Sequence, residues 1–421
     1  MISKNKENII FRVVLLTLAG SFIYAMYSGI RNNFGIMLNS IVDNSGLSFA
    51  SVSFILAVGQ LVFGLVQPAF GIIVAKKGTL YAFISGIALA IMGMLLTPLC
   101  KSILPLMLCL GVILPAGCGA VSYGIIMGTV TPKLPEKSVS AVSGIINASS
   151  GIGNIVLSPL INSLLNTGGL MYGMLVLTVP VFLTFPASLL MGKKGKTPSA
   201  DIESASEPKS AQSQMRVKEW FQKAIKDGNY RCLMIGFFTC GFHMALVTNH
   251  LPTQIQSFGF SSEASAYAFS IYGIITIVGS VLSGSLCGKL KMKNVLTFYY
   301  GLRPITILLF LIVPKTLLTI TVFTALFGFS GAATVPPVSG IISKTYGAHS
   351  LAMLYGLVFF IHQTGGFFGA WLGGICFSVT GSYTIIWCVS LVFSLVAAIV
   401  SFVIKESRDA AIPMYMSKNQ V

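Results

Sequence analysis

Twelve apolar runs, each long enough to cross a bilayer, follow one another along this chain, and few folds can accommodate that pattern. They cover residues 11–38, 49–74, 79–99, 103–131, 139–166, 170–191, 230–256, 263–288, 293–313, 316–343, 351–379 and 382–405. About 20 residues of helix cross the hydrocarbon core. A helix suits that path because lipid offers the backbone no hydrogen-bond partner, so a spanning segment must satisfy its own N–H and C=O groups. Composition agrees: 54% of residues are hydrophobic and 9% charged. An ordinary soluble domain carries about a quarter charged residues to cover its surface. The expected fold is therefore all-α and polytopic, with twelve transmembrane helices.

The polar stretch 192–229 divides the runs six and six, so the chain reads as a bundle over 1–191, a linker over 192–229, a second bundle over 230–405 and a tail over 406–421. The formal net charge of +16 might suggest nucleic acid, but the basic residues sit in short clusters between alternate spans. Lys4, Lys6 and Arg12, then Lys76–Lys77, Lys133 and Lys137, Lys193, Lys194 and Lys196, Lys289, Lys291 and Lys293, Lys344, and Lys405 with Arg408 fall on one side. Only Lys101 and Lys315 fall on the other, with Asp43. That bias is the positive-inside signature, placing both termini in the cytoplasm and excluding a nucleic-acid partner. The membrane itself, in a bacterium the inner (plasma) membrane, is the expected location, with a monomer the expected state and no cleavable signal peptide. Within the linker, Val217, Trp220, Phe221, Ala224 and Ile225 share a helical face opposite Lys and Glu, which suits a helix lying at the interface. The eight cysteines form no C-x-x-C pair and read as small apolar packing residues.

The two halves echo each other. GIIVAKKG from Gly71 answers GSLCGKLKMK from Gly284, SSGIG from Ser149 answers QTGGFFG from Gln363, and AGCGAV from Ala116 answers SGAATV from Ser330, at a spacing of about 213 residues. Parallel repeats of this kind imply a substrate site between the halves near the membrane midplane, worked by alternating access. This layout resembles the major facilitator superfamily. In the loop motif after span 2, which in that family reads G-x-L-A-D-R-x-G-R, Ala75 and Gly288 replace the usual Asp, and the basic turn survives as Lys76–Lys77 and Lys289. Within the superfamily, GIRNNFG at Gly29, GLVQPAFG at Gly64, CGFHMALVTNHLP at Cys240 and FFIHQTGGFFGAWLGG at Phe359 resemble the bacterial monocarboxylate-transporter-like group. The span-8 Arg of the animal monocarboxylate carriers is missing, for that region reads IVGSVLSG. The resemblance implies that span 1 lines the cavity and that a basic residue there meets the substrate.

None of the eleven acidic residues lies inside a span, Glu263 only opening span 8, yet Arg31 and Arg303 do. A charge at such depth is costly and is retained when it pairs, snorkels or faces a wet cavity. Arg31 shares a helix face with Tyr27 and Tyr24. It either grips a visiting carboxylate through its fork of donors, with the tyrosines sharing the remaining lone pairs, or snorkels to the far interface. Arg303 sits about ten residues, roughly 15 Å, into span 9; it either faces the cavity or bonds backbone carbonyls freed on a neighbouring helix. With no intramembrane carboxylate, His is the side chain there that titrates near neutral pH. His243 and His362 are therefore the candidates for carrying a proton, with His250 a weaker one, and His349 lies in a loop. Tyr123 and Asn147 and Asn154 fall on helices expected near the pathway. Gly151, Gly153, Gly365 and Gly366 suit close helix packing, and Pro336 and Pro337 suit a helix discontinuity at the gate or cavity wall.

These features point to a secondary transporter of a small organic anion, monocarboxylate-like, by proton symport or exchange, with Arg31, Tyr27, Tyr24, Tyr123, His243 and Arg303 around the substrate. Efflux of a neutral or lipophilic metabolite or drug is the competing reading. The chain carries no G-x-x-x-x-G-K-[ST], so ATP-driven transport by this chain alone is excluded. It carries no nucleophile–base pairing or metal cluster either, so neither an enzyme nor a cofactor is expected.

Overall fold

A computed structural model describes residues 2–192, 222, 224–346 and 351–406. The interfacial helix expected over 217–225 and the loop residue His349 lie outside the described residues, save for Ala224 and Ile225. Ten helical stretches are long and apolar enough to cross a membrane. One of them, Val142–Met191, is a pair: the hydrogen-bonded run breaks at Gly169, whose φ of 67° and ψ of −168° reverse the chain. Only a residue without a Cβ adopts that backbone readily. A further helix, Leu351–Thr380, is 30 residues long and carries no Asp, Glu, Lys or Arg. The twelve helices are α1 (Ile2–Asn32), α2 (Phe49–Lys77), α3 (Thr79–Leu96), α4 (Ile103–Val130), α5 (136–168), α6 (170–191), α7 (Gly228–Ser257), α8 (Ser262–Cys287), α9 (Met292–Ile312), α10 (Leu317–Tyr346), α11 (Leu351–Thr380) and α12 (Thr384–Val403).

Helix pairing repeats with a shift of six. α1 lies along α5 as α7 lies along α11; α2 meets α4 as α8 meets α10; α3 meets α6 as α9 meets α12. The two halves then join through α2 against α11 and α5 against α8. Small residues make these approaches possible. A Cβ on Gly153 would stand 2.1 Å from the Ala25 carbonyl oxygen, and one on Gly365 1.9 Å from that of Phe238, so α1–α5 and α7–α11 touch backbone to backbone. Gly151 does the same for the α5–α8 seam, 2.4 Å from Gly273 O, while Gly366 makes ordinary contacts with Gln60 and Gly241 at 3.6 Å. Large apolar side chains such as Leu18, Leu104, Ile305 and Phe402 remain exposed around the rim, as a lipid-facing surface requires.

Besides a short break of α6 at Leu183, four helices are interrupted among the described residues, and these four interruptions position the site. Span 1, expected to end near residue 38, breaks instead at Asn33 and resumes as Phe34–Ser45. Buried Asn33 holds the break, donating to Gly29 O at 2.7 Å and accepting from Ser158 Oγ at 2.7 Å. α7 swells into a π-turn at Leu246–His250 just before Pro252. α4 passes through a π-segment ahead of Pro115 and breaks at Val121–Ser122, where Ser122 is extended. α10 tightens to a 3-10 turn at Ala332–Thr334 immediately before Pro336 and Pro337. Proline supplies no N–H, so the prolines of α4, α7 and α10 leave carbonyls a turn earlier that need another partner.

The ends differ. On the side that carries both termini, polar contacts stay within one half: Asn229 exchanges two bonds with Lys405, Lys344 pairs with Glu406 at 3.3 Å, and Lys133 reaches Met191 O. At the opposite end the halves bond each other. Asn39 donates to Gln256 Oε1 at 3.1 Å and accepts from Thr253, and Asn166 donates to Glu263 Oε1 at 2.8 Å. Ser270 reaches Ile155 O nearer the middle. Hydrogen bonds between the halves, among the described residues, run only from mid-height to this far end. Nearer the termini Gly71, Gly144, Gly284 and Gly356 face open space.

Candidate functional site

Arg31 sits in the last turn of α1, before the Asn33 break, and is half-buried. It does not run out to the headgroups. Nη1 donates to Gln60 Oε1 of α2 at 2.9 Å, and the guanidinium lies over the Phe63 ring with its carbon 4.1 Å from the centroid. Its other N–H groups have no acceptor among the described residues. Guanidinium presents five donors in a rigid fork, so the geometry leaves a charged fork open to a ligand. The one ion pair between described residues is Lys344–Glu406, far from here, so Arg31 has no protein carboxylate.

Of the residues expected around Arg31, the structure brings some and diverts others. Tyr24 is half-buried and meets Tyr123 ring to ring at 5.6 Å. Tyr123 starts the new helix after the α4 break, and its hydroxyl shares a 2.6 Å hydrogen bond with Ser143 Oγ. Tyr27 goes elsewhere: it is 3% exposed, and its hydroxyl turns toward Thr184 of α6 without completing a hydrogen bond. Residues 24 and 27 are three apart, so they diverge by about 60° around the helix axis, and that divergence sends Tyr27 into the core of the first half. Asn154 is buried at the α5–α8 seam with neither side-chain polar atom bonded. Pro336 and Pro337 open the helix after the α10 break.

Arg303 is 0% exposed and does not face the cavity. Its Nη2 donates to Ser330 O at 2.8 Å and to Gly331 O at 3.4 Å, the carbonyls left by the α10 break, and its Nε to Ser330 Oγ at 3.4 Å. It also reaches Cys240 Sγ and His243 Nδ1, each at 3.4 Å, and lies over the Tyr300 ring. Its first role is to hold a helix discontinuity. His243 is correspondingly locked. A guanidinium only donates, so Nδ1 must accept, which places the proton on Nε2, and Nε2 donates to Ser390 O at 2.9 Å. Both nitrogens are in use, and a second proton would point at a cation. His250 is committed in the same way, Nε2 donating to Ala370 O at 2.7 Å and Nδ1 accepting from Tyr383.

His362 is different. It is half-buried, stacks on Phe359 at 5.6 Å with an interplanar angle of 4°, packs against Phe237 at 5.3 Å, reaches Gln363 Oε1 through Nδ1 at 3.4 Å and faces the Cys240 sulfur. Phe359 in turn meets Phe63 at 6.2 Å, so an aromatic bridge runs across the α2–α11 interface from beneath Arg31 to His362. Tyr272 of α8, 5% exposed, stands within electrostatic reach of both Arg31 and Arg303, and its hydroxyl donates to Met244 Sδ at 3.5 Å.

Gln60, Phe63, Tyr272 and Cys240 were missed by the reading of the sequence. Gln60 and Tyr272 carried the available signal, a polar group inside an apolar span. Cys240 carried none, since a thiol in a span is ordinarily packing.

Comparison with known proteins agrees with this architecture. The chain is 24% identical over 396 residues to the oxalate:formate antiporter of Oxalobacter formigenes, covering 90% of this chain and 88% of that one. It is 23% identical over 387 residues to monocarboxylate transporter 13 of Rattus norvegicus, covering 90% and 86%. An uncharacterized MFS-type transporter of Bacillus subtilis, YcxA, is 30% identical over 176 residues, 41% of this chain and 43% of that protein. Among solved structures, a D-xylose-proton symporter superposes with a TM-score of 0.73 over 94% of this chain and 98% of that one, at 14% identity, which speaks to fold alone. The family model of the Major Facilitator Superfamily matches residues 18–316. With the helix pairing repeated every six spans and the family model matching most of the chain, this chain belongs to the Major Facilitator Superfamily.

Proposed function

We propose that the chain carries a small organic anion, monocarboxylate-like, by alternating access between its halves 1–191 and 230–405, in proton symport or in exchange. The observation that carries this reading is Arg31: a largely buried guanidinium over Phe63 beside the α2–α11 interface, bonded once to a neutral amide and paired with no carboxylate among the described residues. A buried charge without a counter-ion is unstable in a low-dielectric interior, and an arriving carboxylate supplies the counter-ion in bidentate geometry. Tyr24, Tyr123 and Gln60 supply polar edges, and Phe63 and Phe359 an apolar wall for a short carbon chain. The relatives support the substrate class, one being an oxalate:formate antiporter and another a monocarboxylate transporter.

His362 is the group suited to receive a coupled proton, because it alone of the described histidines is bonded to no backbone carbonyl and no cation, and it lies at the end of the aromatic bridge from Arg31. The loop charges favour both termini in the cytoplasm. With that orientation, the end that bonds the halves together through Asn39, Gln256, Thr253, Asn166 and Glu263 faces outward.

The test is uptake of labelled lactate or pyruvate into vesicles under an inward proton gradient. Wild type accumulates label, and Arg31→Ala loses it. Charge-assisted hydrogen bonds contribute about 1.5–3 kcal/mol each, so losing two weakens binding by about 100-fold or more. Uptake by Arg31→Ala at the wild-type rate and affinity would refute the assignment.

A further inference from the structure

Arg303 poses an electrostatic problem that its hydrogen bonds do not solve. The side chain is fully buried, and its oxygen and nitrogen partners, Ser330 Oγ, Ser330 O, Gly331 O and His243 Nδ1, are all neutral. No carboxylate lies within the spans, and none pairs with it among the described residues. Hydrogen bonds from neutral groups satisfy the donors, but they leave the net charge uncompensated in a medium where an unpaired ion is costly. One contact remains: Cys240 Sγ, 3.4 Å from Nη2, buried at 2% exposure. A cysteine beside a cation is the environment that favours the thiolate.

The groups facing that sulfur are few. From α7 itself comes His243, neutral and with both nitrogens occupied. From α8 comes Tyr272. From α9 come Arg303 and Tyr300, whose buried hydroxyl has no hydrogen-bond partner. α10 contributes the neutral Thr334, with Oγ1 at 3.6 Å from Sγ. From α11 come Tyr355 and His362, whose ring faces Cys240. α7 and α11 are in backbone contact there, since a Cβ on Gly241 would meet His362 O at 1.7 Å. His362 thus adjoins both the sulfur and the aromatic bridge that leads to Arg31.

We propose that the Cys240 sulfur is the resident counter-charge of Arg303, held as a thiolate, and that it takes up and releases the coupled proton, handed over from the cavity by His362. The step is a proton transfer only. An imidazolium N–H of His362 gives its proton to Sγ, leaving neutral imidazole and a neutral thiol, with no change in oxidation state. Uptake cancels the negative charge beside Arg303, so the chamber gains one positive charge, and an entering monovalent anion restores the balance. The coupling part of this proposal rests on the anion-transport reading; the ion pair does not.

Infrared spectroscopy tests the ion pair, because an S–H stretch is present in a thiol and absent in a thiolate. In the difference between wild type and Cys240→Ser, no S–H band is expected at pH 7.5, where an ordinary thiol with a pKa of about 8.5 would be about nine-tenths protonated. Arg303→Gln should restore the band at that pH. An S–H band in the difference between wild type and Cys240→Ser at pH 7.5, where the other seven free thiols cancel, overturns the ion pair, and this reading needs no arginine variant to fold. In proteoliposomes, the ratio of gradient-driven lactate uptake to lactate–lactate exchange should fall about tenfold in Cys240→Ser; an unchanged ratio overturns the coupling role. Failure of wild-type vesicles to move lactate in either mode overturns the anion reading and the coupling role with it, and the infrared band then decides the ion pair alone.

Discussion

Three intramembrane histidines of one chain divide into two kinds, set by what each nitrogen touches. His243 and His250 are saturated, the first by Arg303 and Ser390 O, the second by Ala370 O and Tyr383. His362 has one long contact to Gln363, aromatic neighbours in Phe359 and Phe237, and the Cys240 sulfur beside it. Substitution should separate them. His250→Phe removes a buried hydrogen bond and strands a carbonyl, lowering stability by about 1–2 kcal/mol, read as a lower melting temperature in detergent with the pH dependence of transport unchanged. His362→Ala should leave the melting temperature within error and flatten the response of uptake to external pH. The opposite pattern would assign the proton to the wrong helix. Sequence marked all three as candidates because rarity of charge inside a membrane is visible in one dimension. Which of them was free was not visible, because the partners lie on α9, α11 and α12, 60 to 147 residues away.

At the scale of helices, the repeated breaks do the positioning. AGCGAV and SGAATV, which echo each other in the two halves, both fall at interruptions, of α4 at Val121–Ser122 and of α10 at Ala332–Thr334. The first turns Tyr123 toward Tyr24, and the second presents the carbonyls that Arg303 gathers. The glycines expected to allow close packing do so to different degrees. Gly153→Ala would push a methyl to 2.1 Å from Ala25 O and force α1 off α5, at a cost of about 1–3 kcal/mol, whereas Gly144→Ala, facing open space, should be neutral. Thermal melting of the two variants side by side checks this, and equal loss would mean that the α1–α5 approach is looser than described. Spans could be located from hydropathy to within a few residues, but the continuation of span 1 to Ser45 was not, because Asn33 interrupts the pattern and Asp43 reads as loop.

For the whole molecule, the halves lean together at the end away from the termini, through Asn39, Gln256, Thr253, Asn166 and Glu263. Alternating access requires this seam to part in the opposite state. A Cβ on Gly273 would lie 2.5 Å from Gly151 O in the seam, so Gly273→Ala should disfavour the closed far end and shift the population toward its opening. Spin labels at Lys101 and Leu317, one exposed site near that end in each half, should report a longer mean separation in Gly273→Ala than in wild type. An unchanged distance would count against a seam that works as a gate.

Sequence alone determined the number of spans, their grouping by six and the absence of acidic residues from the membrane, because bilayer thickness imposes a length and an apolarity that each segment must meet by itself. Tertiary structure decided what the two arginines do. Arg31 and Arg303 are equally anomalous as residues in apolar runs, yet one meets a single amide at the join between halves and the other is enclosed by five groups from α7 and α10. The cost of a buried charge depends on its neighbours in space, and those neighbours are chosen by helix packing rather than by order along the chain.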